Sequence, residues 1–210
     1  EARLAHYLSS GIADGVILLD GGLSPACLEV AGRPPVIAAC EWLEAPLPSV
    51  RVENAQGAAL AVEHLADAGH RAIGFVAGPE GNVLTDSRRR GFLEATAERG
   101  LATPAEWLLP GDFGLASGAA AAERWMRLER RPTAMFCASD EMACGFMGAI
   151  QRAGLSVPGD VSVVGFDDVE VAAHLTPALT TVHQPRELIG RRAASLLIGM
   201  MRSGQGTGPT

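Results

Sequence analysis

The feature that most constrains the fold is a regular alternation of short apolar runs with longer segments of helical periodicity. Runs rich in Val, Ile, Leu and Ala occur at 15–19, 35–39, 49–52, 72–77, 134–138, 161–166 and 179–182. Helical patterns occur at 24–31, 54–68, 86–99, 115–129, 141–153 and 185–202. Several apolar runs show no polar alternation, which is typical of strands buried on both faces of a parallel sheet. The alternation therefore predicts an α/β, doubly wound architecture.

The number of strands favours two smaller parallel sheets, in two lobes, over one large sheet. A Gly-Pro pair follows a buried strand at 77–82, and we expect the chain to cross between lobes there. We expect it to cross back at 181–185, with Pro185 opening the last helix. The predicted domains are an N-terminal lobe of residues 1–78 and 184–210 and a C-terminal lobe of residues 79–183.

Local sequence signals mark the start and the end of one predicted helix and the character of the C-terminal tail. Asn54 is predicted to cap helix 54–68, and Gly69 follows the end of that helix, where a left-handed residue is favoured. The Gly-rich tail at 203–210 is predicted to be mobile.

Composition excludes several function classes. The 210 residues are 48% hydrophobic and 20% charged, which is a globular composition with no sign of disorder. The net charge of −7 makes this chain a poor partner for nucleic acid, because phosphate binding requires a clustered positive surface. Its apolar stretches are far shorter than the ~20 residues needed to cross a bilayer, and no leader-like segment indicates secretion.

No motif of catalysis or of metal binding stands out. The sequence contains no H-E-x-x-H, no Walker loop and no G-x-G-x-x-G after a strand, and Ser117 in "GLASG" lacks the G-x-S-x-G elbow. The cysteines form no C-x-x-C pair, so we predict small core residues in a reducing compartment rather than a zinc site. A binding protein without a cofactor is therefore favoured, with a doubly wound enzyme as an alternative. The cysteines are Cys27, Cys40, Cys137 and Cys144.

Candidate binding residues follow from the rule that ligands of open α/β sheets lie beyond the carboxyl ends of the strands. The residues expected at those ends combine a guanidinium, carboxylates, a hydroxyl, an amide and an aromatic ring. This mixture suits a polyhydroxylated ligand. The candidates are Cys40, Glu41, Arg88, Phe113, Ser139, Asp140, Asp167, Asp168 and Gln184.

Several of these candidates also have a purely structural explanation. Asp140 is expected to cap the helix that follows it, and Asp168 to cap the turn that follows it. Arg88 is equally explained as a solvated helix charge, and Phe113 as a core residue. Asp167 is the strongest candidate for ligand contact, because its neighbour Asp168 can serve as the cap.

Four separated blocks resemble, in order and spacing, the effector-binding core of the LacI/GalR family of bacterial transcription regulators. They are "GHRAIGFVAGP" (69–79), "SRRRGFLEA" (87–95), the segment from "RPTAMFCASDEMACG" to "VVGFDD" (131–168) and "TPALTTVHQPRELIGRRA" (176–193). The resemblance covers nearly the whole chain. It implies a periplasmic-binding-protein-like fold of two lobes joined by crossing strands, with the N-terminal lobe incomplete.

The resemblance also implies roles for three residues. The family's pocket arginine, three residues before the glycine of R-x-x-G, falls on Arg88. The aromatic residue of G-D-[FW] that stacks on the effector falls on Phe113. The first acid of G-[FY]-D-[DN] falls on Asp167, which is therefore expected to clamp the effector.

The chain departs from the family pattern at other pocket positions. The family's Asn before D-x-M-A is replaced by Ser139, and the usual Asp after strand 35–39 is replaced by Cys40, with Glu41 next to it. Gln184 lies at the predicted lobe crossing. These differences argue against a plain hexose pocket and favour the nucleoside-responsive branch of the family.

The function that the resemblance implies is the effector-binding and dimerisation core of a cytoplasmic repressor. A small sugar or nucleoside would bind between the two lobes and control operator binding by a homodimer, with no membrane partner. Helix 142–150 is a candidate for simple burial or for the dimer surface. The family's helix-turn-helix, hinge, first strand–helix–strand and last strand are absent from this chain, so we expect operator DNA to be bound outside it. The alternative is an exported sugar-binding protein of a transporter.

Overall fold

The computed structural model of the chain describes residues 2–29 and 32–203. The helices are α1 (Ala2–Ser9), α2 (Asn54–Asp67), α3 (Val83–Glu98), α4 (Leu115–Arg127), α5 (Asp140–Arg152) and α6 (Arg186–Arg202). The strands are β1 (Val16–Leu18), β2 (Val36–Ala39), β3 (Ser49–Val50), β4 (Ile73–Val76), β5 (Leu108–Leu109), β6 (Ala134–Cys137), β7 (Ser162–Asp167) and β8 (Thr180–His183). Most of the predicted mobile tail, residues 204–210, lies outside the described residues.

The chain divides into two compact units, each with its own parallel sheet. The first unit comprises Glu1–Val52 and Pro185–Thr210, and its sheet has the order β1-β2-β3. The second unit is Glu53–Gln184, and its sheet has the order β5-β4-β6-β7-β8. All strand pairs in both sheets are parallel, so the predicted α/β class with two parallel sheets is confirmed.

The first unit has a small core around its central strand, β2, which is buried at every position. Ile37 on β2 packs with two residues of α6, Leu197 and Met200. A second small cluster joins Ala39 to other residues of α6. Predicted helix 24–31 is a short 3-10 helix, Pro25–Leu28, and its last two predicted residues lie outside the described residues.

The second unit has a larger core, built on β4 and β6, which are buried at every position. Phe75 on β4 stacks on Phe92 of α3 with ring centroids 5.1 Å apart and lies 5.3 Å from Phe136 of β6. Helix α2 packs against α3, and α4 packs against α5. This continuous apolar layer fixes the strands whose carboxyl ends carry the candidate site residues.

Glycines bring the paired helices of the second unit close together. A Cβ at Gly91 of α3 would overlap the carbonyl of Ala55 in α2. In the other pair, a Cβ at Gly118 of α4 would overlap the backbone of Met142 in α5. The glycine of the R-x-x-G motif therefore has a packing role, because only its missing side chain lets α3 approach α2.

The predicted changeover near 77–82 is corrected by this topology. Strand β4 pairs with both β5 and β6, so the chain has already entered the second unit before residue 77. The loop instead begins α3, where the Asn82 side chain accepts hydrogen bonds from the N–H groups of Leu84 and Thr85. At the other end, the second unit finishes at Gln184, within the predicted return segment, and Pro185 is the N-cap of α6.

Two predictions about α2 have different outcomes. Gly69 has a φ of 97°, so the predicted left-handed residue after the helix is confirmed. Asn54 is not the N-cap, because Glu53 occupies that position and Asn54 is the first, buried residue of the helix. Its side chain is directed to Arg88 instead, accepting a hydrogen bond from that residue.

Cys137 is buried and the other three cysteines are half-buried, whereas most of the apolar helix 142–150 is buried. All four cysteines are free thiols, and burial raises the pKa of Cys137 and of Cys144 above the usual value, which keeps these two protonated. Helix α5 buries most of its apolar residues against α4, β6 and β7, which agrees with the burial interpretation of 142–150. Among the described residues, no helix is both long and apolar enough to pass through a bilayer.

We expect His70 to make the stability of the second unit depend on pH. Its ring nitrogens lie 2.8 Å from the Thr133 hydroxyl and 2.9 Å from the Ser162 hydroxyl, and burial together with nearby His64 lowers its pKa below 6.5. The unfolded state therefore takes up this proton first, so the free energy of unfolding should fall as pH drops through 6.5. Urea denaturation at pH 7.5 and 5.5 should show a smaller pH effect in His70→Gln.

The control for this prediction is His174→Gln, because His174 is exposed. That variant should keep the full pH dependence of the wild type. An equal pH dependence in His70→Gln and wild type would contradict the assignment to His70.

Candidate functional site

Seven of the nine candidate residues lie in the second unit, after or beside the carboxyl ends of its strands, and two of them, Asp140 and Asp168, are treated below with their neighbours Ser139 and Asp167. Asp167 ends β7, Ser139 follows β6, and Gln184 follows β8. Phe113 comes shortly after β5, and Arg88 lies in the helix that follows β4. The parallel sheet brings these ends to one edge, as the sequence rule predicts.

Arg88 is the centre of this edge. It is only 2% exposed, so it is not a solvated helix charge. Its Nε donates to Asn54 Oδ1 at 2.9 Å, and its Nη1 donates to the Ala138 carbonyl at 2.5 Å. Its Nη2 donates to Gln184 Oε1 at 3.4 Å and lies 3.7 Å from Asp167 Oδ1.

Aromatic rings complete the surroundings of this guanidinium. Its Cζ lies 3.7 Å above the ring of Phe166 and 5.8 Å from the ring centroid of Phe113. A buried cation is costly unless it is paired and hydrogen-bonded, and here acceptors surround a planar donor group. The planar guanidinium of Arg88 is therefore held in one orientation, with Asp167 as its anionic neighbour.

Asp167 combines a strained backbone with a partly exposed carboxylate. Its φ is 118° and that of Asp168 is 56°, both in the left-handed half of the map, where side chains are disfavoured by roughly 1–3 kcal/mol each. The Asp167 side chain is 25% exposed beside the buried Arg88. The carboxylate therefore contacts the guanidinium and also reaches the solvent edge, where a ligand can meet it.

Asp168 does not cap the following 3-10 helix, Glu170–His174. The residue at the N-cap is Val169, and no side-chain cap bond is made there. The Asp168 carboxylate lies 2.7 Å from the Nδ1 of His183, on the exposed side of the turn. The two adjacent acids thus point to different partners.

The helix cap predicted for Asp140 is wrong, because Ser139 occupies that position. Ser139 is the N-cap of α5, accepting from the Met142 N–H at 3.2 Å, and its hydroxyl donates to the Phe113 carbonyl at 2.9 Å. Asp140 is inside the helix, fully buried, and its carboxylate accepts from the Val169 N–H and the Thr181 hydroxyl. Ser139 therefore holds the backbone that carries Phe113, and Asp140 is not the cap.

Phe113 lies at the border between core and edge. Its φ of 70° is left-handed, and its ring packs where a side chain at Gly78 would stand, beside the Thr85 hydroxyl. The ring is half-buried and contacts the apolar core. It therefore satisfies the core interpretation in part while still presenting an aromatic surface near Arg88.

Cys40 and Glu41 follow β2 in the first unit. Cys40 has a φ of 67°, and its N–H donates to the Val50 carbonyl. Glu41 Oε2 accepts from the Gly21 N–H at 2.6 Å, which ties the loops after β1 and β2 together. Their role as ligand contacts stays a prediction.

Comparison with known proteins assigns the fold and the family. Residues 62–210 match the family model of the periplasmic binding protein-like domain. A LacI family transcriptional regulator from Mycobacterium smegmatis is 31% identical, with a TM-score of 0.87 over 95% of this chain and 74% of that one. The chain belongs to the LacI family.

Two further relatives of this LacI-family chain bear on its role. The HTH-type transcriptional repressor CytR of Escherichia coli K12 is 38% identical over 192 residues, covering 90% of this chain and 56% of the relative. The transcriptional regulator CelR in complex with cellobiose is 35% identical, with a TM-score of 0.89 over 100% of this chain and 65% of that one. The LacI-family chain thus spans little more than half the length of CytR.

Some residues at the edge of this LacI-family unit were missed from the sequence. Asn54, Phe166 and the Ala138 carbonyl all contact Arg88. A signal existed for Asn54, a polar residue opening a helix whose inward positions are small and apolar. A backbone carbonyl has no sequence signal. Within residues 2–29 and 32–203, no group of three or more His, Cys, Asp or Glu side chains is arranged to hold a metal ion.

Proposed function

We propose that this LacI-family chain is the effector-binding part of a bacterial transcriptional repressor, and that its effector binds at the Arg88–Asp167 edge. The observation that carries the proposal is the buried, fully oriented Arg88 guanidinium beside a partly exposed carboxylate. Such an arrangement costs folding energy, because a strained Asp167 and a buried cation are both held in place. A ligand-binding role accounts for that cost.

The chemistry of this edge suits a small sugar or a nucleoside. The Asp167 carboxylate can accept from two neighbouring hydroxyl groups, and the Gln184 amide adds both a donor and an acceptor. The Phe113 ring offers an apolar face to a sugar ring or a base. Ser139 contributes less, because its hydroxyl is already bonded to the Phe113 carbonyl and the Met142 N–H.

The relatives support a regulatory role, and one of them supports a sugar ligand. CytR and PurR are repressors among the curated relatives, and CelR was solved with cellobiose. Operator binding, a homodimer and a cytoplasmic location are proposals for the whole protein. Because the relatives are named as repressors, regulation is favoured over an exported transport receptor and over an enzyme.

A thermal-shift screen tests the proposal. Cytidine, adenosine, ribose and cellobiose are added separately to wild type and to Asp167→Ala. At least one compound should raise the Tm of the wild type, and Asp167→Ala should bind it at least about tenfold more weakly, since a hydrogen bond to a charged group contributes roughly 1.5–3 kcal/mol.

The matched control is Asp67→Ala. Asp67 is 70% exposed and pairs with Arg99 at the surface of the same unit. This variant should keep the ligand-induced shift of the wild type. Full stabilisation of Asp167→Ala by the same compound would rule out the pocket assignment.

A further inference from the structure

We propose that Asp140 and Thr181 form a positioning pair that holds the turn after β7, and thereby the Asp167 carboxylate, in its ligand-binding orientation. The proposal rests on the proposed function, and it assigns a role to Thr181, which is not among the candidate residues, and to Asp140, which was expected to cap α5. Both act through the backbone of the turn, so they are positioning residues.

The pair is a buried carboxylate bonded to a hydroxyl on a neighbouring strand. Asp140, the first residue of α5, has 0% exposure. Its Oδ1 accepts from the hydroxyl of Thr181 on β8 at 2.5 Å, and its Oδ2 accepts from the Val169 N–H at 2.9 Å. One side chain therefore connects a helix, a strand and the turn.

Thr181 adds a second contact to the same turn. Its Oγ1 accepts from the Asp168 N–H at 3.4 Å while it donates to Asp140. The backbone N–H groups of Asp168 and Val169 thus both donate to the Asp140–Thr181 pair. The backbone up to Asp167 is also held by β8, because Asp167 pairs with His183 in register.

The sequence leaves room for the buried carboxylate. A Cβ at Gly165 of β7 would overlap Asp140 Oδ1, so the strand must carry glycine where the pair passes beneath it. Burial raises the pKa of Asp140, and the hydrogen bonds from Thr181 and Val169 oppose that rise. The carboxylate therefore depends on the two donors that it positions.

The backbone of the turn explains why such a pair is needed. Asp167 and Asp168 both have positive φ, a conformation that side chains adopt only when the surroundings hold them there. A relaxed turn would change the direction of the Asp167 side chain and its 3.7 Å approach to Arg88. The Asp140–Thr181 pair stabilises this unfavourable backbone conformation, and the direction of the Asp167 carboxylate is thereby fixed.

The first test needs no ligand. Hydrogen exchange of the Asp168 and Val169 amides is measured by NMR in wild type, Thr181→Val and Thr181→Ser. Thr181→Val removes the hydroxyl and should accelerate both amides at least about tenfold, because an opened turn exposes them. Thr181→Ser keeps the hydroxyl and should exchange like the wild type. Unchanged exchange in Thr181→Val would overturn the pairing.

The second test measures affinity by calorimetry, with whichever of cytidine, adenosine, ribose or cellobiose stabilises the wild type. Thr181→Val should bind about fivefold more weakly and Thr181→Ser normally, because only the hydroxyl is needed. In the Asp167→Ala background, Thr181→Val should cause no further loss. An equal loss in both backgrounds would show a merely structural role and overturn the proposal.

The two tests separate this inference from the proposed function. If none of the four compounds binds wild type while Thr181→Val still accelerates the two amides, the proposed function fails and the pairing of the turn stands. If the compound binds wild type and Thr181→Val equally well, the positioning role fails and the proposed function stands.

Discussion

Replacing Arg88 with methionine is expected to weaken effector binding about a hundredfold. The reason is the loss of two charge-assisted hydrogen bonds between the guanidinium and the effector, of roughly 1.5 kcal/mol each. The same change should lower the free energy of unfolding by about 1–3 kcal/mol, since the Ala138 carbonyl loses the donor that now lies 2.5 Å from it. Calorimetric titration measures the first effect, and urea denaturation measures the second.

Two variants sharpen the Arg88 test. Arg90→Met is the matched control, because Arg90 lies on the same helix with its side chain 65% exposed and should leave both quantities unchanged. Arg88→Lys should not restore binding, because an ammonium cannot reproduce the planar fork that meets Asn54, Ala138 and Gln184. Wild-type affinity in Arg88→Met would remove Arg88 from the site.

Replacing Gly91 with alanine is expected to damage both stability and the site. The new Cβ would overlap the Ala55 carbonyl of α2, and backbone cannot move aside as a flexible side chain can. Overpacking of this kind costs about 1–3 kcal/mol of unfolding free energy. Because Ala55 is next to Asn54, which bonds Arg88, effector affinity should fall as well.

Gly190→Ala is the control for this helix substitution. Gly190 lies in α6, and no atom lies within 4 Å of the position that a Cβ would occupy there. Alanine at this position should therefore raise the free energy of unfolding by up to about 1 kcal/mol. Urea denaturation compares the two variants. A stabilising effect of Gly91→Ala would show that the close approach of α2 and α3 does not exclude a side chain at position 91.

Much of the fold could be predicted because the central strands of both sheets are buried on both faces. Runs such as 72–77 and 134–138 correspond to β4 and β6, which form the centre of the larger sheet. The rule that ligands lie at the carboxyl ends of strands then brought Arg88, Asp167 and Gln184 into one group. The proximity of Asp167 and Gln184 follows from the parallel pairing of β7 with β8, and Arg88 joins them from α3.

The changeover between units could not be predicted, because a strand's own residues do not specify which sheet it joins. A Gly-Pro pair after a buried strand fits a crossing between lobes, and it fits the start of a helix equally well. The decisive contacts are long-range, such as the pairing of β4 with β5 and β6.

The wrong assignment of the α5 cap to Asp140 instead of Ser139 has a similar cause. Both residue types are good helix caps, so local preference does not distinguish them. The difference between them depends on Thr181, a residue distant in sequence whose hydroxyl donates to the buried Asp140 carboxylate. The strained backbone at Asp167 was likewise invisible, because aspartate in the left-handed region is a property of the assembled turn.

The most direct test of the central claim is a crystal structure of the chain with the compound that stabilises it. We expect polar atoms of that compound within hydrogen-bonding distance of the Asp167 carboxylate and the Arg88 guanidinium. A compound bound elsewhere, with Asp167 in contact only with solvent and its own chain, would contradict it.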